Sequence, residues 1–245
     1  MNWILSGAAG FLAQLVDGSL GMAFGVTAST ILQAAGFAPA VVSATVHSAE
    51  TLLTAANGLS HFKFGNVDKK LFLKLALPGT LAAVAGAYLL SELETPWLAP
   101  AIQCYLIVTG VIVLLRAFGL KPFPSVNPTL LGAVGGFADA LGGGGWGPIV
   151  TGTLIAADND PRTTIGSVNT AEFFVTISQS IVFLIALKGS YISYFAPFAI
   201  GGLMAAPLGA WICKTLSKKA QRALYVLVGL LLVITNTAKL LTAFV

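Results

Sequence analysis

The sequence predicts an all-α polytopic membrane protein made of two inverted repeats, each with one re-entrant broken-helix hairpin and three transmembrane helices. Three observations carry this. First, of 245 residues 56% are hydrophobic and only 9% charged, against roughly 25% charged in a soluble domain. With a mean hydropathy of +0.88, the chain lacks the polar residues to cover a water-facing surface. Second, six apolar stretches have the ~20 residues that one bilayer crossing needs. Third, two further apolar stretches are broken by glycine, and the two halves of the chain resemble each other. The composition excludes a soluble enzyme, a nucleic-acid binder and a disordered chain, despite a pI of about 9.1.

The first repeat, residues 1–124, is expected to hold a hairpin at 2–35 and crossings at 39–62, 73–91 and 98–117. The second, residues 125–245, is expected to hold a hairpin at 129–157 and crossings at 164–187, 191–213 and 222–243. Pro39 and Pro161 suit the first turn of a helix, where a missing N–H costs nothing. Short linkers carry most of the charge: HFKFGNVDKK, SELETP, RAFGLKPFPSVNP and KTLSKKAQR. The N-terminus lacks a basic leader region and the apolar runs continue along the whole chain, so no removable signal peptide is expected. Cys104 and Cys213 sit in apolar stretches without metal or disulfide spacing, and are expected to be small core residues.

The hairpin segments contain Asp17-Gly18-Ser19-Leu20-Gly21 and Gly142-Gly143-Gly144-Gly145-Trp146-Gly147-Pro148. Each is longer than one crossing requires and too short for two crossings with a turn. A run of four glycines is a poor helix interior, at about 1 kcal/mol per glycine relative to alanine. A half-helix in, a glycine tip near mid-depth and a half-helix out meets these limits. Such backbone persists at membrane depth only when buried in protein or lining a wet cavity.

Between the halves, Gly10-Phe11 with Leu15, Gly18 and Gly21 aligns with Gly136-Phe137, Leu141, Gly144 and Gly147. Thr45-Val46-His47-Ser48-Ala49-Glu50 aligns with Ser167-Val168-Asn169-Thr170-Ala171-Glu172, and Ala82-Ala83 through Tyr88 with Ala205-Ala206 through Trp211. The offset lies between 122 and 126 across these blocks. An odd number of crossings per unit puts the second unit upside down. With that inversion eleven of the 13 cations fall on one side: Lys63, Lys69, Lys70, Lys74, Arg116, Lys121, Arg162, Lys214, Lys218, Lys219 and Arg222. Only Lys188 and Lys239 fall on the other. Hairpins that crossed would divide them 8 against 5. The positive-inside rule favours the inverted arrangement and places both termini outside.

The outgoing half-helices are expected to begin near Leu20 and Trp146. A helix N-terminus offers unpaired N–H groups and the positive end of a dipole, which hold an anion without a cationic side chain. The expected substrate-binding residues are Gly18, Ser19 and Gly21 at one tip and Gly144, Gly145, Trp146 and Gly147 at the other. His47, Ser48, Asn169 and Thr170 line the path between them. Glu50 and Glu172 lie eleven residues beyond Pro39 and Pro161, which is about 16 Å along a helix and close to the middle of a core of about 30 Å. Mid-membrane carboxylates are costly and mark function by default. They stand as candidates for gating or proton coupling, with bonding to the hairpin tips as the equal alternative. Asp17 and Asp139 are assigned a structural role at the tips. For Gly7, Gly10, Gly86 and Gly209, close helix packing is the expected role. Trp3 and Trp97 are expected in the interfacial belt. No metal site, cofactor site or nucleophile–base arrangement appears, so no enzyme is expected.

The block GFADALGGGGWGPIV, opening the second half of a duplicated chain of this length, resembles the sulfite exporter TauE/SafE family of sulfur-anion and organosulfonate permeases. Its first-half counterpart, LVDGSLGMAFGV, is more degenerate. The resemblance covers essentially the whole chain. It implies secondary transport of sulfite, sulfoacetate or a related organosulfonate across the cytoplasmic membrane, by alternating access around a central anion site. An uncoupled anion channel and a non-transporting membrane scaffold subunit stand as alternatives. The expected partners are a small anionic substrate and the lipid bilayer. Protons are a candidate coupling ion, a homo-oligomer is left open, and no nucleic acid is expected.

Overall fold

The computed structural model describes residues 3–20, 24–63, 65–92, 97–120, 126–157, 159–215 and 217–242. In the first half these form α1 (Trp3–Leu20), α2 (Phe24–Ala34), α3 (Pro39–Lys63), α4 (Lys69–Glu92) and α5 (Leu98–Ala117). In the second half they form α6 (Pro128–Gly142), a π-helical turn (Gly147–Thr151), α7 (Gly152–Ala156), α8 (Pro161–Ala186), α9 (Ile192–Thr215) and α10 (Lys218–Thr242). Among the described residues there is no strand. The order is one broken hairpin and three long helices, twice over.

Helix starts are set by polar caps, which explains where the expected boundaries move. An apolar pattern places α4 and α10 at 73 and 222, but the helices begin at Lys69 and Lys218, while α8 begins at Pro161, three residues ahead of its apolar crossing and at the proline expected in its first turn. The Asp68 carboxylate accepts from the Lys70 N–H at 2.8 Å and the Asp160 carboxylate from the Thr163 N–H at 2.9 Å. Ser217 Oγ accepts from the Ala220 N–H at 3.2 Å. Each cap satisfies an orphan donor of the first turn and lets the helix start in polar residues, before hydrophobicity announces it.

The long helices pair across the two halves: α1 with α9, α6 with α4, α5 with α10, and α3 with α8. Helices α3 and α8 run antiparallel, since Gly58 faces Thr170, Thr54 faces Thr176 and Thr51 faces Ser180. Close approach rests on glycine. A Cβ on Gly201 would overlap the Gly7 carbonyl oxygen, and one on Gly136 would overlap that of Gly79. Gly10 lies against the Phe198 carbonyl and Gly86 against Phe137. Gly7, Gly10 and Gly86 thus sit at helix contacts, where packing supplies the attraction that water cannot.

The interior combines apolar clusters with many buried polar side chains, and the outer faces are apolar. Ser29, Ser43, His47, Asp139, Ser167 and Gln179 are fully or almost fully buried, while Ile4, Leu77, Leu81, Ile185 and Ile234 are exposed. Trp3 and Trp97 are exposed as well. Cys104 is exposed on α5, which corrects the expectation of a core position: an apolar stretch in a bilayer turns one face to lipid, so hydrophobic surroundings in sequence do not mean burial. The Cys213 and Gly209 side-chain surroundings lie outside the described residues. Among the described residues, three helices are long and apolar enough to cross a membrane on composition alone: Lys69–Glu92, Pro100–Ala117 and Thr163–Ala186. The 25 residues of α3 extend about 37 Å, although polar side chains lower its hydropathy.

Replacing Gly136 by leucine should force α6 from α4. Overpacking of this kind costs about 1–3 kcal/mol, so Tm in detergent should fall by several degrees. Leu77→Ala, on the exposed face of the same α4, should leave it nearly unchanged.

Candidate functional site

Two interrupted helices meet inside the protein, and each break has to be reconciled with backbone chemistry. In the second, α6 ends at Gly142 and the chain turns through Gly143, Gly144 and Gly145 at φ of 69°, 138° and 139°. Only glycine takes such angles in succession without strain. Space makes the same demand, because a Cβ on Gly144 would overlap Gly25, and one on Gly145 the Tyr105 hydroxyl.

The carbonyls freed where α6 stops are captured by side chains from neighbouring helices. Ser43 Oγ donates to the Ala140 carbonyl at 2.6 Å and Tyr105 Oη to that of Gly144 at 2.9 Å. Ser29 Oγ donates to the Gly143 carbonyl, and His47 Nε2 donates to the Asp139 carbonyl at 3.1 Å. Farther along, an Arg116 guanidinium N–H reaches the Gly152 carbonyl at 2.9 Å, where the π-helical turn gives way to α7. The freed N–H groups are met by carboxylates. Asp139 Oδ1 accepts from Trp146 N–H at 2.9 Å, while its Oδ2 accepts from Gln179 Nε2 at 3.0 Å.

The first break repeats this bond. Asp17 Oδ1 accepts from the Phe24 N–H at 3.0 Å, seven residues on, as Asp139 does from Trp146. The two bonds are 122 positions apart, the spacing of Glu50 and Glu172 and not the 126 suggested by the glycine blocks. The outgoing half-helix of the first hairpin accordingly begins at Phe24, four residues after the expected Leu20. Gly132 and Gly136 stand one turn apart on the face of α6 that meets α4. A slip of four residues therefore keeps glycine on the same helix face, and glycine matches alone do not distinguish the registers.

Between the tips lies a cavity of about 40 Å³, lined from four directions. Asp17, Phe24 and Gly25 come from the first hairpin, and Gly145, Gly147, Pro148 and Thr151 from the second. Glu50, Leu53, Thr54 and Asn57 come from α3, and Asn169 and Glu172 from α8. Among the described residues no lysine or arginine lines it. A cavity needs about 10–15 Å³ on this measure to hold one water, so the volume suits a few waters or a small polyatomic ion. Gly25 is required here too: a Cβ would approach Glu50 Oε1 to 2.7 Å.

The two glutamates differ in their surroundings. His47 Nδ1 lies 3.0 Å from Glu50 Oε2 and 3.7 Å from Asp139 Oδ2. Because Nε2 faces a carbonyl, which only accepts, that nitrogen carries hydrogen. The Nδ1–Glu50 contact then contains one proton, whether it is imidazolium with carboxylate or imidazole with carboxylic acid, and either pair is neutral overall. In the other half Asn169 occupies the position of His47, and its amide donates to the Ile165 carbonyl at 3.0 Å. Among the described residues no donor or cation pairs with the Glu172 carboxylate. No group of three or more His, Cys, Asp or Glu among the described residues is arranged to hold a metal ion.

Of the residues singled out from sequence, Gly145, Gly147, Asn169, Glu50 and Glu172 line the cavity, and Asp17 joins them. Gly144 and Trp146 stand behind its wall. Gly144 packs on Gly25, and Trp146 is 1% exposed among Leu75, Val150 and Val168, its indole against Gly79. Ser48 bonds to the Tyr191 hydroxyl at 3.2 Å, and Thr170 donates to its own helix at the Gly166 carbonyl at 2.7 Å. Gly18 and Ser19 belong to the last turn of α1 and do not form the break. Gly21 lies outside the described residues. Sequence reading passed over Ser29, Ser43 and Tyr105, and the wall residues Thr54, Asn57 and Thr151. Counting the carbonyls that a mid-membrane helix end strands would have called for hydroxyl donors on α2, α3 and α5.

Replacing Asp139 by alanine leaves the buried Trp146 N–H unsatisfied and the Gln179 amide with only a long bond to the Gly136 carbonyl. An unsatisfied buried donor costs about 1–3 kcal/mol, so Tm should fall well below that of the Tyr105→Phe variant, which removes one bond to a carbonyl.

Residues 6–236 match the family described as sulfite exporter TauE/SafE. A protein of Bacillus subtilis (strain 168), Probable membrane transporter protein YtnM, is 41% identical over 248 aligned positions, covering 96% of this chain and 82% of that protein. No solved structure matches the chain. Apolar outer faces, buried polar side chains and a match over nearly its whole length agree: the chain belongs to the sulfite exporter TauE/SafE family, as a multi-pass membrane transporter and not an enzyme.

Proposed function

We propose that the protein is a proton-coupled secondary carrier that holds a small sulfur oxyanion, such as sulfite, sulfoacetate or a related organosulfonate, in the cavity between the hairpin tips. The observation that carries this reading is the cavity itself, which joins both tips to facing glutamates with no cationic side chain in its wall among the described residues. The first N–H groups of the outgoing half-helices already serve Asp17 and Asp139. An anion would therefore meet the Thr151 hydroxyl, the Asn57 amide and backbone of the glycine tips. It would also face Asp17, Glu50 and Glu172. In a site of low dielectric those charges oppose an anion strongly, so a proton has to accompany it. Glu50 already shares a proton with His47. Glu172, with no donor among the described residues, is the group whose protonation admits the anion, which links the carboxylate to coupling.

The repeat arrangement fits alternating access. The corresponding helices α3 and α8 run antiparallel, and α1 meets α9 as α6 meets α4, as two inverted units of 1–124 and 125–245 would. Six crossings then place the eleven-cation side in the cytoplasm, with both termini outside a bacterial-type inner membrane. An uncoupled channel would conduct without saturable counterflow, and a scaffold would tolerate alanine at Gly145.

Reconstituted protein should take up or release labelled sulfoacetate or sulfite under an imposed pH gradient. Glu172→Gln should retain the fold and equilibrium counterflow but lose acceleration by the gradient by about tenfold or more, as loss of an essential proton carrier does. Gradient-driven flux equal to wild type would remove the coupling. In a thermal-shift series of sulfite, sulfoacetate, sulfate and non-sulfur anions, a bound substrate at 100 times its Kd should add about 2.7 kcal/mol of stability, and no shift with any of them would remove the anion site.

A further inference from the structure

Helices α3 and α8 touch along a seam whose two ends are built differently. From the cavity toward the N-terminal end of α3, hydroxyls meet turn by turn. Thr54 Oγ1 lies 3.3 Å from Thr176 Oγ1, Thr51 Oγ1 lies 3.1 Å from Ser180 Oγ, and Ser48 Oγ donates to Tyr191 Oη at 3.2 Å. Most of these hydroxyls also have an acceptor on their own helix. Thr51 reaches the His47 carbonyl at 2.8 Å, Thr54 that of Glu50 at 2.7 Å and Ser180 that of Thr176 at 2.7 Å.

A hydroxyl has one proton. In the Thr51–Ser180 pair two protons have three places to go, so a bond across the seam trades against a bond within a helix. Parting the Thr51–Ser180 and Thr54–Thr176 pairs strands no donor, since each of these four hydroxyls falls back on a carbonyl of its own helix. The tips are held in the opposite way. Ser43 Oγ serves the Ala140 carbonyl and His47 Nε2 the Asp139 carbonyl, which the Gly144 N–H also reaches, and neither side-chain donor has a second acceptor among the described residues. The seam can open inside a bilayer at small cost, and the tip anchors cannot.

The two ends also differ in exposure. Toward the C-terminal end of α3, Asn57 lines the cavity and is exposed, with Asn169 opposite it on α8. At the spacing of 122, the counterparts of Asn57 and Asn169 are Gln179 and His47. Both are 0% exposed, with Gln179 held by Asp139 and His47 by Glu50. One end of the seam has an open mouth where the other is sealed.

We propose that the hydroxyl seam of Ser48–Tyr191, Thr51–Ser180 and Thr54–Thr176 is the closed gate of the carrier, and that the site opens in this conformation past Asn57, toward Lys63. Transport alternates the two by parting α3 from α8 along the seam. This rests on the carrier reading for its purpose, although the gate is testable without any substrate.

The test uses the full chain in membranes with Cys104 and Cys213 changed to serine. Asn57→Cys and Ser48→Cys are labelled separately with a membrane-impermeant maleimide from each side. A closed gate opens only as a minor state of about 10% or less. Asn57→Cys should therefore react at least about tenfold faster, and from the Lys63 side, while Ser48→Cys reacts slowly and from the opposite side. Adding the near-isosteric Thr51→Val, with Ser180→Ala, should speed labelling of Ser48→Cys several-fold without altering Tm by more than a few degrees. Equal labelling of Asn57→Cys and Ser48→Cys, or a seam variant that leaves the rate unchanged, would overturn the gate. In reconstituted vesicles, oxidising a Thr51→Cys, Ser180→Cys pair should stop counterflow, and reduction should restore it. Undiminished flux through a fully cross-linked protein would also overturn the gate while leaving the carrier standing. Slow labelling of Ser48→Cys in a protein without any flux would keep the gate and remove the carrier.

Discussion

A helix that ends inside a bilayer leaves carbonyl and N–H groups where no water can reach them, each at a cost of several kcal/mol if left alone. The broken helix at Gly142–Gly147 exists because other helices supply what water would. Ser29 on α2, Ser43 and His47 on α3 and Tyr105 on α5 donate to its carbonyls, and the Asp139 carboxylate receives the Trp146 N–H beyond the break. The breaks are therefore properties of the assembled protein and not of local glycine content. Remove the donors, and glycines at these angles have no reason to persist in place of a continuous helix.

The same anchors settle where chemistry can happen. His47 is shared between the tip, through Nε2 and the Asp139 carbonyl, and the cavity, through Nδ1 and Glu50. That double duty neutralises one of the two facing glutamates and leaves the other without a partner among the described residues. The difference in surroundings follows from one position, histidine in one half of the chain and asparagine in the other. The asymmetry of exposure follows the same line, since the end of the α3–α8 seam that contains His47 and Gln179 is closed and the end with Asn169 and Asn57 is open.

Polar residues in α3 serve two mechanical ends. Those that face the tip, Ser43 and His47, make bonds without alternatives and bind the hairpin to the body. Those that face α8, Thr51 and Thr54, make bonds that their own helix can replace. The bonds of α3 toward the tip are thus of a different kind from its bonds toward α8. Glycine plays the matching role in α4, α6 and α9, where backbones meet closely enough to act as single bodies.

The architecture was largely legible in the residues alone. Charge depletion, runs of about 20 apolar residues and glycine interruptions depend on the bilayer as solvent, and they specify helices, breaks and their order whatever the tertiary packing. Glu50 and Glu172 stood out for the same reason, because a carboxylate at that depth conflicts with its surroundings unless the fold uses it. Register and facing were not legible. The four-residue slip that placed a half-helix at Leu20 in place of Phe24 preserves the glycine face, so only the paired Asp17–Phe24 and Asp139–Trp146 bonds select one alignment. Which side of a helix meets lipid, which hydroxyl reaches across to a stranded carbonyl, and that Trp146 and Ser48 pack behind the cavity while Asn57 and Thr151 line it, are outcomes of helices docking. Such contacts join residues up to 143 positions apart, and no local pattern in the chain records them.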